Sequence, residues 1–160
     1  DGPYGSAIDF DQYSAITLMA GGIGITPMIS ILKHLHGVWS VDKNAYPNLR
    51  AVKLCWSTRN VREIGLFSEF FEVLAETVDQ RITVGLFVTK SMGPDATAMA
   101  HKFPLPISLG RPALDKQLDN LVSFGQDALV HVCGPPALVD DCAAWTLKTG
   151  VSFKSESFEL

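Results

Sequence analysis

An uncharged run from Gln12 to Leu32 constrains the fold of this chain more than any other feature. A run of that length can cross a bilayer as a helix, so it must be buried either in lipid or in a protein core. The segment Gly21–Gly24, which holds three glycines, and the following Pro27 interrupt it near its midpoint and would break a membrane helix. We therefore expect a buried strand, a glycine turn and a helix.

Each part of this unit has its own signal. Residues Ile16–Ala20 have the continuous apolar character of a strand that is covered on both faces. Thr26 can cap the helix, Pro27 suits its first position, and Gly37 is expected to end it.

Further apolar runs alternate with helical periodicity along the rest of the chain. They predict strands at residues 51–57, 82–88, 107–109, 128–133 and 151–153, and helices at 64–78, 114–121 and 136–148. Asn60 and Glu63 resemble a capping box before the first of these helices. Its buried side is expected to carry Leu66, Phe67, Phe70, Phe71 and Leu74. Residues 89–106, with Gly93 and three prolines, are expected to form a loop.

Strands that alternate with helices indicate the α/β class, here a doubly wound parallel sheet of the Rossmann-like kind with three layers. The length of 160 residues suits a single domain, residues 1–160. Ligands of such sheets bind at the carboxyl ends of the strands.

Composition excludes several classes of function. A net charge of −4 argues against nucleic acid as a partner, because phosphate backbones need a basic surface. The three cysteines fit neither a disulfide framework nor a zinc site, which favours a reducing compartment. His34 and His36 do not share a helix face, and His131 lies inside a predicted strand, so we expect no metal site.

The glycine turn is a candidate anion site. Free N–H groups at a helix N-terminus attract negative charge, and glycines let the backbone approach a pyrophosphate closely. The dinucleotide fingerprint would place a third glycine where this chain has Thr26 and Pro27, so a plain tight turn remains an alternative.

Several short motifs follow one another in order, and together they indicate a family. They are DGPYG at 1–5, AGGIGITP at 20–27, GRP at 110–112, CGPP at 133–136 and ESF at 156–158. This set resembles the NAD(P)-binding half of the ferredoxin–NADP reductase superfamily, and within it the ferric-reductase and NADPH-oxidase branch. The resemblance covers nearly the whole chain.

The resemblance implies roles for individual residues. The pyrophosphate would lie against Gly21, Gly22, Gly24, Thr26 and Pro27. Cys133, with Gly134 and Pro135, would lie against the nicotinamide, Glu156 would be a polar group near the reacting rings, and Phe158 would stack over the flavin. The alternatives are a buried strand cysteine at 133, a solvent-exposed acid at 156 and a frayed terminus at 158.

The segment after the second predicted strand bears on the choice of nucleotide. It reads Cys55-Trp-Ser-Thr-Arg59, and no acid that could bind a ribose 2′-hydroxyl occurs before Glu63. Ser57 and Arg59 suit a 2′-phosphate, and Arg111, after Gly110, is a second candidate. These residues favour NADPH; the alternative is that Arg59 or Arg62 lies in solvent.

The resemblance further implies a larger flavoprotein. Residues 1–5 would be a hinge from an FAD-binding barrel, and no FAD-phosphate motif occurs in this chain. We expect the domain to lie on the cytosolic side of a membrane, with any membrane part outside the sequence. Hydride would pass from NADPH to FAD, and electrons onward through haem to ferric iron or dioxygen. The alternatives are a soluble flavin-dependent NAD(P)H reductase and a non-catalytic regulatory domain.

Overall fold

A computed structural model describes residues 8–77, 79–90 and 92–157 and contains a six-stranded parallel sheet. The strands are β1 (Ala15–Gly21), β2 (Ala51–Thr58), β3 (Ile82–Val88), β4 (Ile107–Leu109), β5 (Ala128–Cys133) and β6 (Ser152–Glu156). The helices are α1 (Ile25–Val41), α2 (Val61–Gly65), α3 (Ser68–Glu76), α4 (Pro94–Lys102), α5 (Leu114–Leu118) and α6 (Pro136–Thr149). The order in the sheet is β4-β3-β2-β1-β5-β6, which confirms the doubly wound α/β fold.

Helices cover both faces of the sheet and produce two apolar cores. One core joins the sheet to α1, α2, α3 and α4, and the other joins it to α5, α6 and a 3-10 segment, Asp119–Asp127. All seven residues of β1 are buried, as expected for a central strand between these cores. In the described part of the chain no helix is long and apolar enough to span a membrane.

The first helix differs from its prediction at both ends. It begins at Ile25 with Gly24 as its N-cap, and no side chain caps it, so Thr26 is not the cap. It continues past Gly37 to Val41, because Leu35 and Trp39, four residues apart, are both buried against the sheet. Burial of Trp39 outweighs the weak helix propensity of one glycine.

The predicted helix at 64–78 is two helices, α2 and α3, with a turn between them. Leu66 lies in that turn with 80% of its surface exposed, so its predicted burial is wrong. Asn60 does cap α2, through the N–H of Arg62, but Glu63 does not complete a capping box. The Glu63 carboxylate instead accepts a hydrogen bond from the hydroxyl of Thr58.

The predicted loop at 89–106 contains α4. Pro94 occupies its first turn and Pro104 follows its end, which are positions that prolines favour at helix boundaries. Ala96 and Ala100 of α4 pack against the larger core. At the other edge of the sheet β6 extends to Glu156, beyond its predicted end at 153.

Candidate functional site

Two turns meet at the carboxyl edge of the sheet, where the strand order reverses between β1 and β5. The glycine turn follows β1, and Gly134 and Pro135 follow β5, which pairs directly with β1. A crevice at such a reversal is the usual ligand position of a doubly wound sheet.

The glycines of the first turn fit closely against the second turn. A Cβ on Gly24 would lie 2.0 Å from the carbonyl oxygen of Cys133, and one on Gly21 would lie 2.7 Å from Cδ of Pro135. Gly22 has a φ of +54° and open space beside it. Thus two of the predicted site glycines are required by packing between the turns, and Gly22 is the one with room for a ligand.

A tryptophan fixes the position of this open glycine. The indole Nε1 of Trp56, in β2, donates a hydrogen bond to the carbonyl oxygen of Gly22 at 3.0 Å. Trp56 is 1% exposed and packs edge-on against Phe67. The sequence prediction missed this role, although an indole N–H in a buried strand needs an acceptor.

The helix start lies directly after this turn. Residues Gly22–Gly24 form a 3-10 turn that leads directly into α1. The N–H groups of Gly22 and Ile23 come before the first hydrogen bonds of this turn and therefore have no partner within it. Thr26 is exposed and Pro27 half-buried at this end of the helix.

Cys133 ends β5 as a buried thiol. It is 1% exposed, and burial, with a smaller contribution from Glu156, raises its pKa to about 11. It is therefore protonated at neutral pH. Cys55 and Cys142 are also free and buried, and burial raises each pKa to about 12.

Glu156 ends β6 beside Cys133, to which it is paired in the register of the two strands. Its Oε2 lies 3.0 Å from Nε2 of His131, and the two side chains are 9% and 1% exposed. Glu156 is therefore not a solvent-exposed acid, and His131 is a neighbour of the site that the sequence did not indicate. Phe158 lies outside the described residues.

A polar cavity of about 440 Å³ opens at the carboxyl ends of β2 and β3. Arg59 and Lys90 line it, together with Asn60 and Glu63. The sequence indicated Arg59 but not Lys90, whose place depends on β3 pairing with β2. Ser57 lies half-buried near the end of β2, where it is the partner of Gly21 in the β1–β2 register.

The turn after β4 lies farther along the same edge. Gly110 has a φ of +92°, and its N–H donates to the carbonyl oxygen of Val88 at 2.8 Å. Arg111 follows and is exposed. It is not among the residues that line the polar cavity.

A second cavity, of about 410 Å³, lies between α1 and α3 and is mostly apolar. Its lining includes Trp39, Leu74 and Ile82. Since Ile82 is the first residue of β3, this cavity lies toward the amino edge of the sheet, opposite the two turns. Within residues 8–77, 79–90 and 92–157, no group of three or more His, Cys, Asp or Glu residues could hold a metal ion.

Comparison with known proteins identifies relatives of this domain. The family model of the ferric reductase NAD binding domain matches residues 13–103. The human oxidoreductase NAD-binding domain-containing protein 1 is 30% identical over 133 residues, which are 81% of this chain and 40% of the human protein. A superoxide-generating NADPH oxidase heavy chain of Dictyostelium discoideum is 27% identical over 86% of this chain and 29% of its own length.

A solved structure shares the fold. The cytochrome P450 reductase GcoB of Amycolatopsis superposes with a TM-score of 0.58 and 18% identity, over 98% of this chain and 43% of that protein. The chain thus spans well under half the length of these relatives.

Proposed function

The chain belongs to the family of ferric reductase NAD-binding domains, and on that basis we propose that it binds a nicotinamide nucleotide and directs its hydride to a flavin. The observation that carries the proposal is the packing of the two turns at the strand-order reversal. Gly24 and Gly21 contact the segment after β5 so closely that only glycine fits, while Gly22 stays open. This geometry leaves backbone N–H groups at the mouth of the crevice.

We assign each part of the nucleotide to a position along the edge of the sheet. The pyrophosphate would lie at Gly22 and at the start of α1, near Thr26 and Pro27. The nicotinamide would lie over the end of β5, against Cys133, Gly134 and Pro135. A Cβ on Gly134 would lie 3.0 Å from the backbone nitrogen of Gly21, so this glycine allows the two turns to pack together. The Cys133 thiol is uncharged at neutral pH.

The adenosine end would occupy the polar cavity at β2 and β3. Arg59 and Lys90 bring two positive charges to it, and Glu63 brings one negative charge that is bonded to the Thr58 hydroxyl. The excess of positive charge supports NADPH, whose 2′-phosphate an arginine can bind bidentately. Ser57, and Arg111 after Gly110, do not line this cavity but lie on the same edge of the sheet, and we propose that they contact the adenosine end from beside it.

The flavin belongs to the proposal for the whole protein. Relatives extend well beyond this domain, which supports an FAD-binding domain in the same polypeptide. When bound, FAD supplies the capacity to accept a hydride and to release single electrons. Phe158 would stack on the flavin, and residues 1–5 would link the two domains.

The proposal extends to an electron path beyond the flavin. The ferric reductase family and the superoxide-generating relative support ferric iron or dioxygen as the final acceptor, and haem is the carrier that we propose between the flavin and that acceptor. The domain would then lie on the cytosolic side of a membrane that other parts of the protein cross. A soluble flavin-dependent reductase and a non-catalytic regulatory domain are the alternatives.

Titration of the purified chain with NADPH, NADH and ADP tests the proposal. We expect NADPH to bind at least about tenfold more tightly than NADH, a difference of about 1.4 kcal/mol. Equal affinities for NADPH and NADH would refute the assignment to NADPH but not the proposal that the chain binds a nicotinamide nucleotide. If neither nucleotide binds, the regulatory domain becomes the better interpretation.

A further inference from the structure

A buried histidine lies behind Glu156, at the end of the sheet assigned above to the nicotinamide ring. His131 in β5 is 0% exposed, and its Nε2 lies 3.0 Å from Oε2 of Glu156. In the β5–β6 register His131 is opposite Lys154, and Cys133 is opposite Glu156. His131 and Cys133 are two residues apart in β5 and so share a face of the sheet. Glu156 is the register partner of Cys133 on β6 and lies on that same face.

The protonation of the histidine follows from its surroundings. Burial lowers the pKa of His131, the carboxylate of Glu156 opposes this shift, and the charge of Lys154 adds to it. The imidazole is therefore neutral at pH 7 and carries one N–H. A proton on Nε2 can be donated to Glu156, which leaves Nδ1 as an acceptor.

That acceptor has no hydrogen-bond partner in the described part of the chain. An unpaired buried polar atom destabilises a fold, so a residue that served only to fill the core at this position would be better apolar than histidine. Among residues 8–77, 79–90 and 92–157, the imidazole makes one hydrogen bond, to the Glu156 carboxylate beside Cys133.

We propose that His131 is a positioning residue that holds the Glu156 carboxylate beside Cys133, where its negative charge acts on the nicotinamide ring. The inference rests on the proposed function, since it needs the ring to lie over the end of β5. When the C4–H bond breaks, the hydrogen leaves with both electrons to the flavin, and the ring becomes positively charged. A carboxylate held nearby stabilises the oxidised ring more than the reduced one and so favours transfer toward the flavin.

The experiment compares the affinities of NADP⁺ and NADPH in the wild-type chain, Glu156→Gln, His131→Phe and His131→Gln. Glutamine at 131 can still donate to the carboxylate but cannot titrate, whereas phenylalanine keeps the ring volume and loses the donor. We expect the preference for NADP⁺ over NADPH to fall at least about fourfold in Glu156→Gln, as for unit charges about 5 Å apart in water. His131→Phe should show a similar fall, and His131→Gln should restore the wild-type ratio.

The tautomer of His131, read from its ring nitrogen resonances in the wild-type chain, provides a test that needs no variant. A proton on Nε2 is expected, and a proton on Nδ1 would overturn the inference even if His131→Phe fails to fold. The inference would also be overturned if Glu156→Gln, or a folded His131→Phe, still binds both nucleotides with the wild-type ratio of NADP⁺ to NADPH affinity. If the wild-type chain binds neither nucleotide, the proposed function fails, and this inference fails with it.

Discussion

At the scale of single residues, the charges around the polar cavity decide which nucleotide this domain would select. Arg59 and Lys90 line the cavity from neighbouring strands, and Glu63 is held on the same rim by Thr58. A 2′-phosphate carries negative charge, so it gains from the two cations and loses from the carboxylate. NADH lacks that phosphate, and its affinity should depend less on these side chains.

Arg59→Ala is expected to weaken NADPH about tenfold or more while changing NADH little, because a hydrogen bond to a charged group contributes about 1.5–3 kcal/mol. Calorimetric titration with both nucleotides measures the two effects. Arg62→Ala is the matched control, since both arginines are exposed but only Arg59 lines the cavity. Equal losses for both nucleotides would mean that Arg59 does not contact the 2′-phosphate.

Gly24→Ala is expected to destabilise the fold by about 3 kcal/mol or more, since overpacking a core typically costs about 1–3 kcal/mol and here the contact is with backbone. The new Cβ would lie 2.0 Å from the carbonyl oxygen of Cys133, so one of the two turns must move. Urea unfolding measures the loss. A loss below about 1 kcal/mol would show that the turns are not in this contact.

At the scale of secondary structure elements, prediction succeeded where burial and local pattern agree. The predicted bounds of β3, β4 and β5 match the structure, because their apolar runs end at clear turn signals. The prediction failed at α4, where Pro94 and Pro104 suggested a loop although they mark the two ends of a helix. It also failed at Gly37, where burial of Trp39 against the sheet extends α1.

Gly37→Ala is expected to stabilise the chain by about 0.5–1 kcal/mol, the usual cost of glycine inside a helix. Gly37 is exposed within α1, and a Cβ there would meet no atom within 4 Å. Thermal unfolding at fixed pH measures the change. Gly150→Ala is the contrasting control and should destabilise by about 1–2 kcal/mol, since Gly150 ends α6 with a φ of +80°. If Gly37→Ala instead lowers the stability, the result would indicate that α1 ends at Gly37.

At the scale of the whole molecule, the position of the site was predictable but part of its composition was not. A parallel sheet brings strand ends to one edge, so the turns at Gly21–Gly24 and at Cys133 could be expected to meet. Lys90 and His131 carry no local signal, because their roles depend on which strands are neighbours and in what register. Because β5 pairs with β6, His131 comes within hydrogen-bond distance of Glu156.

The stability of the whole chain should therefore depend on pH through His131. Its pKa is lowered in the folded state, chiefly by burial, so below about pH 6.5 the unfolded chain binds more protons than the folded one. The stability that the neutral, buried imidazole allows is fully present above that pH and is lost as the pH falls. For one proton the free energy of unfolding then falls by at most about 1.4 kcal/mol per pH unit.

Urea unfolding between about pH 7.5 and 5 tests this in the wild type and in His131→Gln, which cannot titrate. The free energy of unfolding should fall less steeply with pH in the variant, whereas His101→Gln, at an exposed site on α4, should keep the wild-type dependence. Glu156 and Lys154 face His131 from β6, so Glu156→Gln should steepen the loss, because it removes the carboxylate that favours the protonated imidazole. Identical pH profiles for wild type and His131→Gln would mean that the imidazole is not buried in its neutral form.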